Sequence, residues 1–175
     1  NILYTETLYN WGGQQNKVIN EMHSAQELGH NVILFCNPNS EILKRARKEN
    51  FKVIACEMNK KNFHKTVPIL CKILWQENID VVISNGSTDS WVAAISKIFT
   101  RIKGVKFIRE RHNEFPIRGF LSKFLHTTLF DKIISVSPNV TKVLQKIGVK
   151  DEKIFFIPTF VDYDALNAVR STFRD

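Results

Sequence analysis

No stretch of this 175-residue sequence is apolar for long enough to cross a bilayer. The longest apolar runs, such as Val81-Val82-Ile83 and Ile154-Phe155-Phe156-Ile157, fall far short of the ~20 residues that a spanning helix needs. The N-terminus has neither the charged nor the apolar block of a secretion signal, and a start at Asn1 inside an apparent strand implies that the first residues have been lost. Cysteine is scarce: Cys36, Cys56 and Cys71 stand at no metal-like spacing and read as buried thiols of a cytosolic protein. The dinucleotide pattern Gly-x-Gly-x-x-Gly is absent, and so is the phosphate loop ending in Gly-Lys-Ser/Thr. Ser135 and Ser137 lack the flanking glycines of a nucleophile elbow. There is no internal repeat or low-complexity tract.

With 43% hydrophobic residues the chain is long enough for one compact domain with a core. Its organising stretch is Trp11-Gly12-Gly13-Gln14-Gln15, between an extended apolar start, Ile2-Leu3-Tyr4-Thr5, and a helical pattern carried by Val18, Met22, Ala25 and Leu28. Gly12 and Gly13 let a ligand approach the backbone. The helix starting near Gln14 points free N–H groups and its positive dipole end at the same place. The alternative is a glycine turn that only lets the helix pack on its strand.

Downstream, strand patterns at Asn31–Cys36, Phe51–Cys56, Asp80–Ser84, Val105–Arg109, Lys132–Val136 and Lys153–Ile157 alternate with helix patterns. Ser40 is a good N-cap for Glu41–Glu49, Phe63, Val67, Leu70 and Leu74 are spaced for a helix, and Pro68 there calls for a first turn or a kink. Further helices are expected around Trp91–Arg101, near Ser122–Leu129, and after Ser137-Pro138 as far as Gly148. The strands are apolar on both faces and no Asn-Gly turn joins neighbours. The fold expected is a Rossmann-like, doubly wound α/β domain with a mostly parallel seven-stranded sheet. Its ligand crevice would lie beyond the carboxyl ends of the strands, built from Glu6–Gln15, Asn85–Asp89, Glu110–Glu114, Ser137-Pro138 and Pro158-Thr159.

The net charge of +8 is uneven: Lys97, Arg101, Lys103, Lys106, Arg109, Arg111, Arg118 and Lys123 face only Glu110 and Glu114. Such a region can serve phosphorylated substrates, anionic lipid or nucleic acid, or be plain solvated surface. His23, His64 and His126 fall within helices and His30 at a turn, positions that suit structural or surface roles. His112 differs, because it follows a strand and would point into the crevice, although a histidine there can also just cap backbone groups. Asp162-Tyr163-Asp164 has a metal-binding spacing but sits past the last strand in an apparent linker.

Taken together, several motifs in order resemble the N-terminal half of a GT-B glycosyltransferase, most similar to the retaining enzymes of family 4. They are Trp11-Gly12-Gly13-Gln14-Gln15, Leu28-Gly29-His30-Asn31-Val32, Asp80-Val81-Val82, Ser87-Thr88-Asp89-Ser90-Trp91, Arg109-Glu110-Arg111-His112, Asp131–Ser137, Lys153–Pro158 and Val161-Asp162. The resemblance implies an acceptor-binding domain over residues 1–157 and the start of an interdomain linker over 158–175. A second Rossmann-like domain that binds the nucleotide sugar would be missing, and this chain inactive alone. It implies transfer from a nucleotide diphosphate sugar with retention, no required metal or cofactor, and a glycan or lipid-linked acceptor such as a lipopolysaccharide. Gly12 and Gly13 would lie against the donor diphosphate and the acceptor, with Gln14 beside them. His112 would contact the transferred sugar, and Ser87, Asp89, Arg111 and Asn113 would line the acceptor cleft. The sequence departs from the family at Glu110, often Thr, and at Thr159-Phe160, usually Asn-Gly.

Arg118 and Lys123, with Phe115, Phe120, Leu121, Phe124 and Leu125, could hold the protein at an anionic cytoplasmic leaflet. Two rivals remain. A nucleotide-sugar epimerase or other dinucleotide-binding α/β enzyme would bind a dinucleotide tightly through this chain alone. A basic, non-catalytic module would bind nucleic acid in a salt-dependent way, but the aromatic-basic interleaving expected of one is missing, so no nucleic-acid partner is expected.

Overall fold

The computed structural model describes residues 1–100 and 102–159. Arg101 and residues 160–175, and with them Asp162-Tyr163-Asp164 and most of the proposed linker, lie outside the described residues. Seven strands form one sheet: β1 (Ile2–Glu6), β2 (Val32–Cys36), β3 (Lys52–Ala55), β4 (Val81–Ser84), β5 (Lys106–Arg111), β6 (Lys132–Ser135) and β7 (Ile154–Phe156). Every pairing is parallel and the order is β3-β2-β1-β4-β5-β6-β7. The chain therefore winds outward from β1 in one direction and from β4 in the other, and the crevice opens where these two strands meet.

Both sheet faces are covered, as the strand patterns require. Tyr4, Leu34 and Ile83 pack under α1 (Gly13–Glu27) and α2 (Glu41–Lys48) with Val18, Met22, Ile42 and Ala46. On the other face Leu3, Ile33, Val82, Phe107 and Ile133 pack under α3 (Phe63–Gln76), α4 (Ser87–Thr100) and α6 (Pro138–Lys146). Between β5 and β6 lies α5 (Phe120–Phe124), which continues as a π-helical turn, Leu125–Leu129. Among the described residues no helix is long and apolar enough to cross a membrane.

Local chemistry sets the boundaries. Ser40 caps α2 by accepting from Leu43 N at 3.3 Å, and Ser137 caps α6 by accepting from Val140 N at 3.2 Å with Pro138 at the first helical position. Pro68 sits in the second turn of α3, beyond the first turn that the sequence called for, and the helix runs through it. Of the thiols only Cys36 is fully buried, and Cys56 and Cys71 are half-buried. Two boundaries shift in ways that matter to the crevice. α4 begins at Ser87 rather than near Trp91, and β5 runs to Arg111 rather than Arg109, so Ser87-Thr88-Asp89 and Glu110-Arg111 belong to regular elements and not to turns.

Candidate active site

The glycine turn is held from below by a buried acid. Glu6, the last residue of β1, accepts from Thr7 N at 2.8 Å and Leu8 N at 2.9 Å through one oxygen and from Gln14 Nε2 at 2.6 Å through the other. Burial, with the nearby Asp89 charge, raises its carboxyl to about 7. Asn37 Nδ2 donates to Thr7 O at 2.6 Å, Glu41 N to Tyr9 O at 2.9 Å, and the Arg45 guanidinium lies 3.7 Å above the Trp11 ring. The turn is thus pinned to β1, β2 and α2. Gly12 is the N-cap of α1 with extended backbone and no side-chain cap, and the first turn holds no acid. No side chain caps the N-terminal amides, and a Cβ on Gly13 would meet nothing within 4 Å.

Asp89 builds the adjoining corner. Fully buried, it accepts from Thr5 Oγ1 at 2.8 Å, Thr7 Oγ1 at 3.2 Å, Asn85 N at 2.9 Å and Gly86 N at 3.0 Å, joining β1 to the β4–α4 turn. Its carboxylate does not line a cleft, contrary to the sequence reading, because four internal donors already occupy it. Gly86 has to be glycine, since a Cβ there would come within 2.6 Å of Thr7 Oγ1 and collide with the Asp89 carboxylate. Asn85 donates Nδ2 to Thr5 O at 3.2 Å, which turns its Oδ1 toward His112 Nε2 at 3.0 Å. A carbonyl oxygen only accepts, so the His112 proton sits on Nε2 and Nδ1 carries the lone pair. Burial, reinforced by Arg109 and Lys17, holds the ring neutral by lowering it to about 3.

β5 divides its charges by strand alternation. Glu110 and His112 face α1, where Lys17 forms a buried ion pair with Glu110 and a second contact with Glu21. Burial first, then Glu21, raises Glu110 to about 8. Arg109 and Arg111 face the other way. Arg109 Nη1 donates to Ser84 O at 2.9 Å, and Arg111 Nη2 donates to Phe115 O. Both are buried, together with His126, which the sequence placed among structural or surface histidines. A cleft of about 510 Å³ is lined by these three and by Gln14, Asn85, Ser87, Asn113 and Arg118 among others.

Of the residues singled out from sequence, Gln14, Ser87, Arg111 and Asn113 thus share one cleft. His112 stands at its edge through Asn85, Gly12 and Gly13 open the neighbouring helix end, and Asp89 lies behind. Sequence reasoning placed Asn85 in a crevice segment without giving it a role, and missed Arg109 and His126 as site residues. Asn85 was legible as the first polar residue after β4, whereas the inward turn of His126 depends on the π-helical stretch, which has no sequence signal of its own.

An all-parallel doubly wound sheet with this polar rim has the form of the N-terminal domain of a GT-B glycosyltransferase. The family model for Glycosyltransferase Family 4 matches residues 11–165, and the chain belongs to that family. No curated protein matches it. Among solved structures, a glycosyltransferase from Rickettsia africae ESF-5 superposes with a TM-score of 0.77 at 19% identity, over 99% of this chain and 49% of that one. Anabaena HepE in complex with UDP-glucose gives 0.75 at 12% identity, over 98% and 49%. The lipopolysaccharide outer core galactosyltransferase WaaB gives 0.69 at 16% identity, over 93% and 46%. The chain spans about half the length of the structures it matches.

Proposed function

We propose that this chain is the acceptor-binding half of a retaining glycosyltransferase, and that a second Rossmann-like domain supplies the nucleotide diphosphate sugar. The observation that carries the reading is the uncapped, acid-free start of α1 at Gly12-Gly13, set beside a neutral His112 whose tautomer Asn85 fixes. Backbone amides at Gly13 and Gln14 meet the donor diphosphate, and His112 contacts the transferred sugar, where a neutral ring on a rigid strand end can hold a hydroxyl without competing for the anion. Gln14, Ser87, Arg111 and Asn113 line the acceptor side, and Asp89 acts by positioning the turn that carries Asn85. The UDP-glucose bound by HepE supports a nucleotide-sugar donor, and the part played by WaaB in lipopolysaccharide supports a glycan or lipid-linked acceptor. The reaction needs no metal or other cofactor in this reading.

The protein works in the cytoplasm, at the inner leaflet. α5 exposes Phe120, Leu121 and Phe124 with Phe115 beside Arg118 and Lys123, which suits an anionic membrane surface; Leu125, expected in this patch, is instead buried in the core. The test is sugar transfer from a nucleotide sugar, with and without the donor domain. The 175-residue chain alone should transfer nothing, and turnover by it would refute the two-domain reading.

A further inference from the structure

Three side chains in the α4–α5 cleft keep polar nitrogens that nothing satisfies. Arg109 is 4% exposed, Arg111 7% and His126 5%, so each is more than nine-tenths buried. Arg109 Nε, Arg111 Nε and His126 Nε2 have no hydrogen-bond partner among the described residues. All three side chains line the same cleft, and its lining includes no Asp or Glu. Buried groups of this kind are costly unless something pairs with them.

The charge balance narrows what that partner is. Arg109 feels Asp89, Glu6 and Glu110, three buried acids that offset it. Arg111 feels no acid: burial and then the like charge of Arg109 bring it down to about 10. An apolar occupant would leave the three nitrogens unsatisfied, a cation would be repelled, and a neutral hydroxyl would leave Arg111 without a counter-charge. A partly protonated oxyanion meets all three needs. Two guanidinium donors on β5 and an imidazole lone pair on the π-helical turn suit a tetrahedral group that carries both oxygens and a hydroxyl, while a planar carboxylate suits one guanidinium fork.

We propose that this cleft is a phosphate subsite, in which Arg109, Arg111 and His126 hold a phosphate group carried by the acceptor. The subsite rests on the acceptor-binding reading above and makes it specific: the acceptor is a phosphorylated glycan or a lipid phosphate. The two arginines and His126 line its β5 and α5 side, with Gln14 at the start of α1 and Asn85, the partner of His112, on the rest of the wall. His126 Nδ1 donates to Ser122 O at 2.7 Å, which leaves the lone pair on Nε2 to take up a proton or accept the phosphate hydroxyl. The charges that act on this ring are Arg109 and Arg111 from β5, and the same cleft is lined by Arg118 from the following loop and by Ser87 and Ser90 from α4.

The test needs no donor. Inorganic phosphate, acetate and chloride at matched ionic strength are titrated against the purified chain, with melting temperature and the His126 imidazole resonance as readouts. Phosphate should raise the melting temperature, shift the His126 resonance and raise its pKa by a unit or more, and chloride should do none of these. Arg111→Gln should weaken phosphate binding at least tenfold, the loss of one charge-assisted hydrogen bond, and Arg111→Lys should fall between the two. Arg111→Gln should itself fold, because it removes an uncompensated charge. Competition by glucose 1-phosphate identifies a soluble phosphate as the source. Sedimentation with phosphatidic acid vesicles that Arg111→Gln abolishes identifies a lipid headgroup. An equal response to chloride, acetate binding as tight as phosphate, or phosphate binding unchanged in Arg111→Gln would overturn the subsite. Because no sugar donor is present, that result would leave the glycosyltransferase reading intact, and absence of sugar transfer would leave the subsite intact.

Discussion

Replacing Lys17 with methionine should unfold the α1 side of the crevice in a pH-dependent way. Lys17 is 1% exposed and Glu110 is fully buried, so the substitution keeps the volume and leaves Glu110 with no cation against it. Breaking a buried pair from one side costs about 3–5 kcal/mol, a large part of the roughly 5–15 kcal/mol that holds a typical domain. The pH dependence follows from the proton on Glu110. Its folded value is already up at about 8 from the ordinary 4.5, by burial and by Glu21, with Lys17 opposing that rise. Without Lys17 it rises further. A carboxyl with a folded value above its unfolded one adds stability that is fully present below the unfolded value and is lost as pH climbs toward the folded one. The parent shares this fall only up to about pH 8, where its own Glu110 gives up the proton, so the variant should go on losing about 1.4 kcal/mol for each pH unit above that, and the gap between the two should widen from pH 8 to pH 9.5. Urea denaturation followed by the fluorescence of Trp11, Trp75 and Trp91 measures it. Lys17→Met/Glu110→Gln should recover most of the loss at pH 9.5, because the lone charge is gone. A Lys17→Met chain within about 0.5 kcal/mol of the parent at pH 9.5, the ordinary range of a surface change, would refute the reasoning.

Gly86→Ala should cost roughly 1–3 kcal/mol by overpacking against Thr7 and Asp89, read as a lower melting temperature; an unchanged value would mean that the β4–α4 turn is looser than described. In an enzyme carrying the donor domain, His112→Ala should lower turnover strongly with the melting temperature nearly unchanged, and near-normal turnover would remove His112 from the mechanism. Because the rings of His112 and His126 are held down to about 3 and about 4, each is neutral when folded and takes a proton on unfolding. Their share of stability should be intact above pH 6.5 and fall away as pH drops toward 4, and His112→Gln should flatten that acid limb in a pH series of melts. Phe120→Ser/Phe124→Ser should abolish sedimentation with anionic vesicles at low salt, and sedimentation equal to the parent's would remove α5 from membrane contact.

The sheet was legible because its strands are continuous apolar runs between turn residues, a pattern that buried parallel strands impose on the sequence. The end of β5 was not legible, for the opposite reason. Arg109-Glu110-Arg111 reads as a polar turn, yet it continues the strand because each charge has a partner that local pattern cannot reveal: Ser84 O, Lys17 on α1 and Phe115 O. The start of α4 was hidden in the same way, since Ser87-Thr88-Asp89 looks like loop until Asp89 is seen to hold the amides of Asn85 and Gly86. His112 and the glycine turn could be picked out because their meaning depends on position at a strand end. Arg109 and His126 could not, because their meaning depends on which side of a strand or helical turn faces a cleft.

The distribution of cations around the rim bears on why one domain would not suffice. The start of α1 offers amides and a partial charge of about half a unit, while a departing nucleoside diphosphate develops more negative charge than that. The cations close to the turn are already engaged: Arg45 lies on the Trp11 ring, and Lys17 is bound by Glu110 and Glu21. Arg109 and Arg111 point to the other side of β5. On the two-domain reading proposed above, a donor placed against Gly12-Gly13 would thus meet orientation and hydrogen bonds but little net positive charge from these groups, and the remaining stabilisation of the leaving group would come from the second domain. The buried Lys17–Glu110 pair, which departs from the family at Glu110, therefore fixes α1 against β5 at the expense of a cation that could otherwise have reached the phosphates.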